Sequence, residues 1–245
     1  MKDLVQESTI DCSKKGMEMQ AMDSSHVSLC TMQLKSEGFE FYRCDRPVAL
    51  GLSLTNLAKI LKCASNDDSV AMKSEDDSDM CSFVFESSKN DKISEFEFKL
   101  MNIEGEQMSI PDQKYACTVK MSSKEFRTIV TDLQQLGDTC IISVTKEGVQ
   151  FSVSGDMGTA NVTVRQKTAV DDEKGESGCT IDMTEAVRLR FALRYLVNCT
   201  KATPLSERVI LSMSADNPLV VEYVMEAVGD VKYYLAPKMD EEATA

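Results

Sequence analysis

The chain has 245 residues, 42% hydrophobic and 27% charged, which fits a globular protein with one large core or two ordinary ones and excludes a disordered chain. A net charge of −13 at pH 7 argues at first against nucleic acid as a partner, because affinity for phosphate comes from lysine and arginine, although an acidic body can still carry one basic face. Nine cysteines, an odd number with neither a CxxC pair nor a signal peptide, read as reduced intracellular thiols, and no apolar run approaches the roughly 18 residues of a membrane span.

In chain order, the first periodic signal is a helix over 56–64, where Leu57, Ile60, Leu61 and Ala64 fall at i, i+3, i+4 and i+7. Strands follow at 70–74 and 80–86, separated by an acidic turn. Residues 100–116, with Gly105, Pro111 and four charged side chains, read as an extended connector. A second helix opens at Ser122, which forms a capping box with Glu125, and Phe126, Ile129, Val130 and Leu133 repeat the helical spacing. Val149, Phe151 and Val153 alternate with polar neighbours as a strand does. A third helix spans 191–199, with Ala192, Tyr195, Leu196 and Cys199 in register. Runs at 209–214 and 219–223 flank Ala215-Asp216-Asn217-Pro218 and read as a hairpin with its turn. Short helices among many strands predict an α+β fold with large antiparallel sheets.

The pattern also echoes itself. Helix, polar loop, strand, turn and strand recur from Leu52 and again from Ile181, and Lys14-Lys15-Gly16-Met17 parallels Lys146-Glu147-Gly148-Val149. An offset on the order of 130 residues predicts a duplicated domain, with units at 1–99 and 117–245 joined by the connector 100–116.

No catalytic constellation emerges. The single histidine, His26, sits in Asp23-Ser24-Ser25-His26, whose adjacent residues cannot converge as a triad requires. One histidine and scattered cysteines make no metal site. Glu75-Asp76-Asp77-Ser78-Asp79 and Asp171-Asp172-Glu173 lack the glycine and spaced ligands of a calcium loop and read as solvated loops. No glycine-rich phosphate loop is present, so no enzyme and no cofactor is expected. The polar faces of the helices are more informative. They carry Lys59 and Lys62, then Lys124 and Arg127, then Arg194 with nearby Lys201. For one helix this is an ordinary solvated face; three such faces point to phosphate contact without base reading.

Several segments resemble the proliferating cell nuclear antigen (PCNA) family of eukaryotic DNA sliding clamps. Among them are Met22-Asp23-Ser24-Ser25-His26-Val27-Ser28-Leu29, Tyr42-Arg43-Cys44-Asp45-Arg46, Phe191-Ala192-Leu193-Arg194-Tyr195-Leu196 and Tyr233-Tyr234-Leu235-Ala236-Pro237-Lys238. The likeness runs from Lys2 to the carboxyl end, apart from an insertion at 171–178. It implies duplicated clamp domains in a homotrimeric ring, with antiparallel sheets outside and short helices lining the hole. Such clamps encircle duplex DNA in the nucleus after an ATP-driven loader closes them, and they recruit DNA polymerase and repair proteins, including those of translesion synthesis, without a membrane. Partners dock through a short peptide, the PIP box.

Carried over by position, the implied peptide pocket is Met22, His26, Val27, Leu29, Met108, Ile110, Pro111, Pro218, Tyr234, Ala236 and Pro237. The implied DNA-facing residues are Lys2, Lys59, Lys62, Lys120, Arg194 and Lys201; Arg127 stands one position from a family arginine. Lys146 aligns with the family's ubiquitin and SUMO acceptor. The implied subunit interface joins the strand carrying Ile93, Phe96 and Phe98 to the one carrying Met157, Val162 and Val164 of the next subunit.

Family members carry a strand and most of a lysine-bearing helix ahead of the point that matches Met1. The first unit is therefore expected to show an open sheet edge and uncovered apolar helix surface. The alternative function is that of a clamp relative that binds partner peptides without encircling DNA.

Overall fold

The computed structural model describes residues 1–75, 78–89, 91–103, 108–110, 113–166 and 178–239. Asp76, Asp77, Gly105, Pro111, and the acidic stretch with Asp171, Asp172 and Glu173 lie outside the described residues.

The first half opens with a meander of β1 (Glu7–Ser13), β2 (Gly16–Met22) and β3 (Ser28–Lys35), and β4 (Val48–Ser53) returns to pair with β1. Helix α1 (Leu54–Leu61) leads to a three-stranded sheet of β5 (Ser69–Ser74), β6 (Met80–Glu86) and β7 (Ile93–Lys99). The second half adds β8 (Cys117–Ser122) and α2 (Ser123–Gln134), then repeats the same plan. Its meander is β9 (Thr139–Thr145), β10 (Gly148–Gly155) and β11 (Gly158–Arg165). After β12 (Thr180–Met183), β13 (Val187–Ala192) returns to β9, and α3 (Leu193–Cys199) precedes β14 (Arg208–Ser214), β15 (Asn217–Met225) and β16 (Gly229–Leu235). The duplication expected from the sequence is thus a duplication of topology. Every ladder between named strands is antiparallel.

The two halves join where β3 pairs with β16, from Leu34↔Gly229 to Ser28↔Leu235. That seam creates one nine-stranded sheet in the order β12-β8-β14-β15-β16-β3-β2-β1-β4. Its inner face meets two cores. One, in the second half, gathers Phe126, Val130 and Leu133 of α2 with Val119, Phe151, Phe191, Leu211 and Tyr223. The other, in the first half, is smaller and centres on Leu52, Phe83, Phe85 and Phe98. Met1, Leu4 and Met32 pack against both.

Local sequence explains most boundaries. Ser122 Oγ accepts from Glu125 N–H at 3.4 Å, the expected cap of α2. The helix expected at 56–64 instead begins at Leu54, because Ser53 Oγ accepts from Asn56 N–H. Leu54 is buried while Leu61 is 44% exposed, so the apolar stripe is shifted one turn toward the amino end. The third helix begins at Leu193 rather than 191, since Phe191 and Ala192 complete the β13 ladder opposite Cys140 and Thr139. Asn217 and Pro218 belong to β15, leaving Ala215-Asp216 as the turn; the ladder is irregular between Ser212 and Ser214, and Pro218 is tolerated near the strand's start.

The two halves differ in cover. In the second, β8 pairs along the outer edge of β14, and α2 packs beside α3. Among the described residues nothing pairs along the equivalent edge of β5, where Val70 is 50% exposed, and Leu57 and Ile60 of α1 stay only partly buried.

Candidate partner groove and nucleic-acid interface

The outer face of the nine-stranded sheet, away from the helices, carries three cross-strand rows. The first is Met22, Leu29, Tyr234 and Val220, an apolar row. The second, two residues along, is Gln20, Thr31, Lys232 and Glu222. The third is Glu18, Gln33, Asp230 and Val224. Period-two alternation places these side chains on one face because Met19, Cys30, Val231, Tyr233 and Tyr223 fill the other.

Residues 108–110 of the connector lie over this face. Gln20 clamps it with both ends of its amide, Nε2 donating to Met108 O at 2.9 Å and Oε1 accepting from Met108 N–H. Met108 and Ile110 therefore overhang a shallow groove of about 300 Å³ whose floor includes Tyr234.

At the head of the apolar row lies the β2–β3 turn with His26, exposed and at φ 56°. Asp23 builds that turn. Its Oδ1 accepts from Val27 N–H at 2.8 Å and Ser28 N–H at 2.7 Å, and its Oδ2 accepts from Ser25 N–H at 3.1 Å. Oδ2 also accepts from the Tyr195 hydroxyl at 2.9 Å, a bond that reaches α3 in the other half. Burial alone would raise the Asp23 carboxyl, but the bonds from Ser28, Tyr195, Ser25 and Val27 outweigh it and hold the group below its ordinary value. Val27 O accepts from Ala236 N–H at 3.0 Å, which brings Ala236 and Pro237 beside the turn. Pro218, half-buried, enters β15 just ahead of Val220. The fold thus gathers Met22, His26, Leu29, Met108, Ile110, Tyr234 and Ala236 around one outer surface, whereas the Val27 side chain packs against the core of the second half. Pro111 lies outside the described residues.

The basic residues fall into two groups. Lys59 on α1, Lys62 at its carboxyl-terminal cap, Arg127 on α2 and Arg194 on α3 are all exposed. The Arg194 guanidinium lies 4.8 Å from the Tyr195 ring centroid, a cation–π contact that fixes its direction. Lys201 is exposed but paired to Asp3 at 3.0 Å, next to Lys2 in the opening turn. Lys120 stands apart. Its neighbours Val119 and Met121 point into the core under α2, so Lys120 faces outward on the opposite side of the sheet.

The remaining expected sites are edge features. Ile93 is 67% exposed, while Phe96 packs tilted against Phe85 and Phe98 meets Phe83 edge to face, so β7 offers a neighbour mainly its backbone edge. Met157 is 78% exposed at the β10–β11 turn; Val162 and Val164 pack inward. Lys146 is exposed in the β9–β10 turn.

Sequence reading missed Asp23, Tyr195 and Gln20 as organising residues. Asp before Ser-Ser is a turn signal that could have found the first; the other two act across 172 and 88 residues of chain, which no local pattern encodes. Among the described residues no cluster of three or more metal-ligating side chains occurs.

Comparison with known families gives matches over nearly the whole chain. The model described as "Proliferating cell nuclear antigen, N-terminal domain" matches residues 1–108, and that described as "Proliferating cell nuclear antigen, C-terminal domain" matches residues 109–238. Clamps of this family are non-enzymatic scaffolds that work on DNA with polymerase-type partners. With the repeated topology, the seam between the halves and these two adjoining matches in hand, the chain belongs to the proliferating cell nuclear antigen family of sliding clamps.

Proposed function

We propose that this chain is a nuclear DNA sliding clamp, a processivity factor that closes as a homotrimer around duplex DNA and recruits polymerases and repair proteins through PIP-box peptides. The observation that carries this reading is the seam. Within the chain, the last strand of the first meander, β3, pairs with the last strand of the second hairpin sheet, β16. The duplicates of those two strands are β11 and β7, and both are end strands of their sheets. Pairing β11 of one copy with β7 of the next repeats the internal seam between molecules. Such a contact is head-to-tail, and a head-to-tail contact that closes makes a ring. The helices then face the hole, where Lys59, Lys62, Arg127 and Arg194 meet phosphates without reading bases. The outer groove of Met22, Leu29, Tyr234, Met108 and Ile110, beside His26, receives the peptide's apolar anchors.

Retention on DNA of different topology tests the encircling step. With a clamp loader and ATP, the chain should stay on nicked circular plasmid through gel filtration and be released when the plasmid is cut. Equal retention on linear DNA would contradict encirclement.

The open β5 edge and half-covered α1 favour a second reading, a clamp relative that binds partner peptides without encircling DNA. That reading predicts peptide binding with no topological retention.

A further inference from the structure

Each half has a strand that returns to its meander and hands over to a helix, β4 before α1 and β13 before α3. Ser53 and Ala192 cap those helices, so Ala49 matches Arg188 and Gly51 matches Arg190. Both strands end their sheets, and both edges are closed at the same point. Met101 N–H donates to Gly51 O at 2.9 Å, and Lys238 N–H donates to Arg190 O at 2.8 Å. The first half closes its edge with no cation at these positions, so guarding an edge against stray pairing does not by itself call for two arginines. We propose that the outer face of the four-stranded sheet, along β13, is a docking surface for an extended acidic segment of a partner protein. It lies on a different sheet from the groove of β2, β3 and β16 and does not depend on that groove's role.

Burial decides which side chains are presented. Val187 and Phe191 are buried and Leu189 packs against the same core, so Arg188 and Arg190 point to the opposite face, where both are exposed. Lys238 adds a cation in the next row, its Nζ donating at 2.6 Å to the Oγ1 of Thr139, the partner of Ala192. Cations thus mark three successive rows, and such rows are about 7 Å apart. Across the sheet the two arginine rows continue as Ser143, Gln150 and Thr163, and as Ile141, Ser152 and Asn161. Neither row holds a carboxylate, in a chain of net charge −13. The carboxylates nearest in sequence, Glu185, Asp138 and Glu147, sit beyond the strand ends. Among the described residues Arg188 makes no ion pair.

Spacing and shape select the partner. An extended peptide repeats its side chains on one face at the same two-residue step, so alternate Glu or Asp residues meet Arg188 and Arg190 in register. Each guanidinium offers a planar fork that a carboxylate can take with two hydrogen bonds. Single-stranded nucleic acid is the poorer fit, because neither row has an aromatic ring on which a base could stack. Closure of the edge at Arg190 O limits strand addition, so side chains carry the recognition. The proposed ring contact uses β11, at the far end of this sheet, and leaves β13 accessible in the assembled clamp.

The test titrates the full chain with a labelled octapeptide of alternating Glu and Thr, and with its Gln–Thr and Lys–Thr counterparts. At low salt the Glu peptide should bind about tenfold tighter than the Gln peptide, with the Lys peptide weakest. The gap should collapse at about 0.5 M salt, and an excess of PIP-box peptide should leave it unchanged. Arg188→Glu with Arg190→Glu should lose the Glu peptide and gain the Lys peptide, a reversal that a folding defect would not produce. Equal affinities for the Glu and Gln peptides, or no binding by either, would reduce the arginines to edge protection and overturn the proposal. A Glu preference that survives in the double variant, or that PIP-box peptide abolishes, would place the selecting charges elsewhere. An oligothymidylate that displaces the Glu peptide from the parent, and is itself lost in the double variant, would assign the face to phosphate and overturn the proposal as well.

Discussion

The Tyr195 hydroxyl donates to Asp23 Oδ2 at 2.9 Å, across 172 residues of chain, and so ties the turn that presents His26 to the helix that presents Arg194. One buried carboxylate thereby holds the outer peptide surface and the inner basic surface in a fixed relation. Removing the tether with Tyr195→Phe should cost about 1–2 kcal/mol of stability, read as a lower urea midpoint at unchanged slope. Asp23→Ala strands three N–H donors and the hydroxyl, and should cost about 3 kcal/mol or more. It should also weaken PIP-box peptide binding, because the His26 turn loses its internal acceptor. If both variants unfold like the parent, the tether contributes nothing.

The same group sets an acid limit. Its folded value is depressed, so its contribution is fully present above the unfolded value of 3.8 and is lost as pH falls through the lower folded value. Stability measured between pH 5 and pH 2 should therefore fall more steeply for the parent than for Asp23→Asn, which has no carboxyl to protonate. Parallel curves would show that Asp23 is not the titrating group.

Gly229 predicts a defect at the seam. It has φ +153°, and an added Cβ would lie 1.9 Å from Gln33 O on the neighbouring strand. Flexible side-chain movement cannot relieve a clash with backbone, so Gly229→Ala should destabilise by about 2–4 kcal/mol and loosen β3 from β16. Hydrogen exchange should quicken at Thr31 and Gln33 first; an unchanged exchange pattern would refute this.

Thiol chemistry gives an independent check on the cores. Burial pushes Cys140 and Cys30 up to about 12 and Cys12 and Cys81 to about 11, and Cys199 is raised as well. Cys63 is exposed and Cys44 partly so. Native alkylation should label Cys63 first and Cys44 next, with Cys30, Cys140 and Cys199 reacting only after denaturant.

How much of this was legible in the sequence depended on how local each cause was. The α2 stripe of Phe126, Ile129, Val130 and Leu133, its Ser122 cap and the repeat of strand and helix are local or periodic, and the fold class followed from them. Boundaries failed where a ladder competed with a helix. Phe191 has helical spacing yet pairs opposite Cys140, and Leu54 joins α1 because Ser53, not a later residue, supplies the cap. The candidate surfaces depended on the resemblance, because Met22, Leu29 and Tyr234 meet only through the β2–β3 and β3–β16 registers. The acidic row of Glu18 and Asp230 was not seen at all, since its members lie in separate halves of the chain.

The basic helices make a further prediction. Lys59→Glu with Lys62→Glu should leave the urea midpoint unchanged, both side chains being exposed, and lower processive synthesis by the loaded clamp. Undiminished processivity would remove α1 from the DNA-facing surface.

Solution mass is the most direct test of the ring. Size-exclusion chromatography with light scattering at micromolar concentration should report a single species of about 82 kDa, three times the 27.2 kDa chain, as β11–β7 pairing around a closed ring requires. A stable species of 27 kDa, or polydisperse aggregate, would contradict ring closure by this chain.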